Sequence, residues 1–185
     1  MRKNFGPKHF LYPQPVLIVG SYNEDGSPNA MTAAWGAICD YTKVAVVLDK
    51  NHKTTQNIIK RGAFTISMAT AATMVAADYV GIVSANDEQQ KIAKAGWTAV
   101  KSELVDAPMF VELPMTLECK LLDWDEAAER ITGEIVNVSA EESILSEGKI
   151  DPAKLQPITF DPVNNTYIAL GDVIGKAFKD GLQLK

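Results

Sequence analysis

The first strong hydrophobic run, residues 16–19, is apolar and largely β-branched. It lies behind Pro13 and Pro15 and stops at the polar cluster Asn23, Glu24, Asp25 and Gly26. That pattern predicts a buried strand entering a hairpin. The return arm is expected over residues 28–38 and a third strand over 43–48, after the break at Asp40 and Tyr41, giving a three-stranded antiparallel meander. Between residues 54 and 61 the pattern turns helical, with Ile58 and Ile59 apolar, Lys60 and Arg61 in the last turn, and Gly62 where a glycine ends a helix.

Residues 63–68 alternate again as a strand, and the Ala- and Met-rich segment that follows, up to Tyr79, has side chains small enough to pack closely as a helix. A further helix is expected over 88–95, stopped by Gly96, and strands over 115–122, 130–138 and 165–170. Strands outnumber helices and the two do not alternate as βαβ units, so a mainly β barrel with inserted short helices fits better than a doubly wound sheet.

Composition narrows this picture. The chain has 185 residues, 46% of them hydrophobic, enough for one domain with a sizeable core. Eighteen basic residues against 23 acidic ones leave a net charge of -5, which offers no electrostatic footprint for nucleic acid or an anionic membrane. Small molecules or other proteins are the expected partners. Cys39 and Cys119 have no CxxC spacing and read as free thiols. The first 15 residues have no apolar core of a secretory signal, and the most apolar stretch, 66–77, is too short to span a bilayer, so a cytoplasmic location is expected.

Several chemistries are set aside at once. There is no GxGxxG fingerprint, no GxxxxGK[ST] phosphate loop and no GxSxG elbow, and His9 and His52 lack partners at metal-binding spacing. No catalytic acid, base or nucleophile and no metal ligand stands out. Four stretches are suggestive. Asn29, Ala30, Met31, Thr32, Ala33, Ala34 and Trp35 form a strand of mostly small residues against which a flat ligand could approach backbone amides, although taken alone they are better explained as a tightly packed barrel strand with Met31 and Trp35 in the core. His52, Lys53, Thr54 and Thr55 place a cation and two hydroxyls at a helix start, which suits an anion as well as it suits ordinary capping. Ser67, Met68 and Ala69 end the next strand. Tyr79, Ser84 and Lys91 flank a polar loop that is otherwise solvated surface.

In order, PxPVxxV, NAMTAAW and HKTTxxI closing on Gly62 and Phe64 resemble the flavin reductase-like FMN-binding family, especially its flavoredoxin branch. The likeness continues through Ala77, Asp78, Tyr79, Val80, Gly81 and Ser84 to Tyr167, Leu170, Gly171, Gly175 and Phe178. The resemblance implies a six-stranded antiparallel split β-barrel that forms a homodimer, with non-covalent FMN in clefts at the subunit interface. It implies that the 29–35 strand contacts the isoalloxazine through its backbone, that Lys53, Thr54 and Thr55, with His52 beside them, take the phosphate, and that residues 67–69 line another flavin edge. Tyr79, Ser84 and Lys91 are further candidates by the same likeness. Relatives often carry arginine at the position of Lys53 and glycine at that of Ala85; lysine keeps the charge and lacks the bidentate fork. The activity implied is NAD(P)H-dependent flavin reduction, with hydride transfer through the flavin N5, or flavoredoxin-like electron transfer with a protein partner as donor.

Overall fold

A computed structural model describes residues 1–185. In chain order its strands and helices are β1 (Gln14–Pro15), β2 (Leu17–Tyr22), β3 (Pro28–Ala33), β4 (Gly36–Asp40), β5 (Lys43–Val47), α1 (Lys53–Arg61), β6 (Ala63–Met68), α2 (Met74–Ile82) and α3 (Lys91–Lys94). The second half holds β7 (Ala99–Lys101), β8 (Pro108–Phe110), β9 (Met115–Asp125), β10 (Arg130–Ala140), β11 (Leu145–Ser146), β12 (Lys149–Ile150), α4 (Pro152–Leu155), β13 (Ile158–Asp161) and β14 (Thr166–Ala169).

Seven strands form one antiparallel sheet in the order β3-β2-β6-β9-β10-β5-β4. Its two outer strands, β3 and β4, are consecutive in the chain and separated only by Ala34 and Trp35. The sheet therefore curls until its ends meet through a covalent corner, which makes a split barrel of the expected kind. Counted with β3 and β4 as one bent strand, the barrel is six-stranded. The expected return arm over 28–38 is this bent strand: its first half pairs with β2, from Leu17 opposite Ala33 to Tyr22 opposite Pro28, and its second half pairs with β5. The Val47 amide donates to the Trp35 carbonyl at 2.8 Å and carries the ladder into the corner. Gly36 is needed there, since a Cβ would lie 2.7 Å from Leu17 Cδ1 and 2.8 Å from Val46 Cγ1.

The run at 16–19 is uninterrupted because β2 is buried on both faces. Leu17 and Val19 point into the barrel with Val46, Ile58, Phe64 and Ile131, whereas Val16 and Ile18 point outward into a second cluster with Ala30, Ala77, Val80, Trp97 and Phe110. Helix α1 closes the barrel with Ile58 and ends at Gly62, whose φ of 69° and amide bond to the Ile58 carbonyl at 2.8 Å make a left-handed cap. Helix α2 lies on the outer face of β3, tied by the Thr32 hydroxyl donating to the Ala77 carbonyl. The helix expected over 88–95 is a single turn, α3, because the chain enters it through turns at 85–90 and Gly96, at φ 74°, ends it. No helix is long and apolar enough to cross a membrane.

Candidate functional site

The start of α1, the middle of β3 and the loop after α2 converge on one hollow. The α1 N-cap, His52, is extended and makes no side-chain cap bond, and no acidic residue stands in the first turn. The amides of the first turn therefore lack intrahelical acceptors and carry the positive end of the helix dipole. Beneath them lies a cavity of about 180 Å³, lined among others by Asn29, Lys53, Thr54, Ser84 and Lys91. A second cleft, of about 310 Å³, is lined by Ala33, Ala34, Trp35 and Leu48, and it shares Met31 and His52 with the first. Together they make a groove, polar and cationic at one end, largely apolar at the other.

Three groups in the cationic end have unmet chemistry. Asn29 is buried; its Nδ2 donates to Thr54 Oγ1 at 2.8 Å and Ser21 Oγ at 3.3 Å, while its Oδ1 has no partner. Thr54, accepting from Asn29, keeps its own hydroxyl proton free to donate. Lys91 is only 3% exposed and no carboxylate pairs with it; burial pulls its ammonium down to about 8. A buried, unneutralised cation and an orphaned acceptor beside free helix amides are what an anionic ligand with hydroxyl groups would complete.

The residues expected at a flavin site divide accordingly. Asn29, Met31, His52, Lys53, Thr54, Ser84 and Lys91 line the cationic cavity, and Ala33, Ala34 and Trp35 line the apolar cleft. The others are engaged elsewhere. Ala30 is buried in the outer cluster and Thr32 holds α2. Thr55 donates to the Asp49 carbonyl at 2.8 Å and closes the turn before α1. Ser67 shares a hydrogen bond of 2.8 Å with Thr116, Met68 packs on the barrel core, and Ala69 and Tyr79 belong to the outer cluster. The structure does not bring these last four into the groove.

Other lining residues were not expected at the site, although Gly81 and Ala85 lie in the stretch that carries the family likeness. Gly81 and Ile82 reach the cavity at the end of α2 and Val83 and Ala85 just after it, while Asp49 and Glu129 reach the cleft at the barrel mouth, where the Leu48 amide donates to the Glu129 carbonyl at 2.9 Å. Their roles come from tertiary placement rather than local pattern. Trp35, 56% exposed, also meets the His9 ring edge-on at 6.3 Å, so the N-terminal segment borders the cleft.

The fold as a whole is shared with known proteins. The fold matches the flavoredoxin of Desulfovibrio vulgaris (Miyazaki F) with a TM-score of 0.94 and 42% identity, covering 98% of this chain and all of that one. It also matches the flavoredoxin of Methanosarcina acetivorans, TM-score 0.88 and 28% identity, over 100% of this chain and 98% of that one. YddH of Escherichia coli K12, an uncharacterised protein, is 30% identical over 142 residues, spanning 73% of this chain and 75% of its own length. Residues 9–159 match the family model of the flavin reductase like domain, and the chain belongs to that family.

Proposed function

We propose that this protein holds FMN non-covalently in the groove, with the phosphate in the cavity under α1 and the ring system in the cleft beside Trp35, and works as an electron-transferring oxidoreductase. The observation that carries this reading is the convergence of Lys53, Lys91 and the free α1 amides on one cavity that opens beside an apolar cleft. In such a site FMN supplies a hydride acceptor at N5, with NAD(P)H as donor, and a store from which electrons leave singly or in pairs. The protein's residues do the remaining work. Lys53, Lys91 and the helix amides bind the phosphate, Asn29 Oδ1 accepts from a ribityl hydroxyl, Thr54 donates, and Met31, Ala34 and Trp35 exclude water from the ring. No side-chain acid, base or nucleophile is called for.

A second reading has its own support in the 42% identity to a flavoredoxin along nearly the whole chain. On that reading FMN remains bound and a protein partner, not NAD(P)H, delivers the electrons. Both readings suit a cytoplasmic setting and a homodimer, whose second copy would cover the apolar side chains beside the cleft. The visible spectrum of the purified protein tests both. Flavin absorption that bleaches on NADH or NADPH addition supports the reductase, and bleaching that requires a redox partner supports the carrier. A protein that is colourless and takes up no added FMN would overturn the two together.

A further inference from the structure

Lys91 is a costly residue to place where it stands. Its side chain is withdrawn from solvent, it lines the cavity, and no carboxylate lines that cavity with it. The groups packed around it offer no internal counter-charge. From β3 come Asn29 and Met31, neither ionisable, and from α1 come His52 and Lys53. On its own side Glu88 is held by Lys94 and Asp87 is exposed; on α2, Asp78 accepts from the Tyr167 hydroxyl at 2.7 Å, with Tyr79 beside it. A cation so placed is completed only by an anion brought in from outside.

We propose that Lys91 makes retention of a phosphate monoester in this cavity conditional on a proton, so that the ligand is held tightly when Lys91 is charged and loosened when it is neutral. The inference rests on the FMN reading for the identity of the ligand and goes beyond it in assigning a proton to the binding step. Burial brings the free protein's Lys91 to about 8, so in the empty cavity it is partly neutral just above neutral pH. A phosphate dianion at the same site favours the charged form and raises its affinity for a proton. Binding then takes up a proton, and by linkage affinity falls as the pH rises past the free protein's value. The phosphate itself does not cause this trend, because its second ionisation, near 6, is complete below the window concerned.

The test is calorimetric titration of the flavin-stripped full-length protein with FMN, and in parallel with riboflavin, at pH 7, 8 and 9. Each titration is run in two buffers of different ionisation enthalpy, which counts protons without any variant. FMN is expected to bind about tenfold more weakly at pH 9 than at pH 7, with roughly half a proton taken up near pH 8. Riboflavin, lacking the phosphate, is expected to show neither effect. Lys91→Arg, charged throughout, should flatten the pH dependence while keeping FMN preferred over riboflavin. FMN binding with no proton uptake overturns the inference and leaves the FMN reading standing. If FMN fails to bind, titration with inorganic phosphate separates the two: phosphate binding with proton uptake upholds the role of Lys91 and removes FMN, and no binding removes both.

Discussion

Lys53 and Lys91 are both cations of one cavity, yet removing them should have different effects on the empty protein. Lys53 is half-buried at the first turn of α1 and in no ion pair, so Lys53→Ala should leave stability within about 0.5 kcal/mol. Losing one charged contact to phosphate should lower FMN affinity roughly ten- to hundredfold, read by fluorescence titration. Lys91 is held below its ordinary value by burial, so between about 8 and the ordinary lysine range the unfolded chain binds more protons than the folded one. Stability contributed at this position therefore rises with pH through that window, and below it the folded state bears the full cost of the buried charge. Lys91→Met should accordingly stabilise the flavin-free protein at pH 7 by about 2–3 kcal/mol, with the gain shrinking toward pH 10. Urea unfolding of both proteins at the two pH values measures it. A residue that costs stability until a ligand arrives is what a binding site, rather than a core, retains.

At the level of elements, the parts governed by local pattern were legible and the parts governed by closure were not. Helix α1 begins within one residue of its expected start and ends on Gly62, because periodicity and a left-handed cap are local properties. Strand β2 was legible as a strand, and its burial on both faces explains why its apolar run does not alternate. The bend between β3 and β4 left no trace in the hydrophobic pattern, since it is imposed by the approach of Leu17 and Val46 to Gly36 from other strands. The site divided the same way. The helix start and the small-residue strand were readable, whereas Asn29 Oδ1 and the burial of Lys91 exist only after α2 and α3 have packed on β3. Gly36→Ala should be informative here, because the added methyl would meet Leu17, Val46 and the Ala45 carbonyl, the last at 3.1 Å. A loss of about 1–3 kcal/mol is expected in denaturant titration. Displacing Trp35, its neighbour, should also weaken FMN binding.

For the whole molecule, the open feature is the free edge of β4. That strand pairs only with β5, and residues 37–40 are exposed, with Ile38 at 61% and the neighbouring Trp35 and Tyr41 also uncovered. An exposed apolar edge strand invites pairing or burial by another chain. The proposed homodimer accounts for it, and the same corner carries Trp35 and Ala34 of the ring cleft, so covering the edge and completing the cleft would be one event. Ile38→Glu puts a charge on that surface without touching the barrel interior or the cationic cavity. Sedimentation equilibrium should show a dimer for the native chain and a shift toward monomer for the variant, with FMN affinity falling in step at protein concentrations where the dimer is lost. A monomeric native protein that binds FMN as tightly as the reading requires would detach the flavin site from the interface, because the cleft would then be complete within one chain.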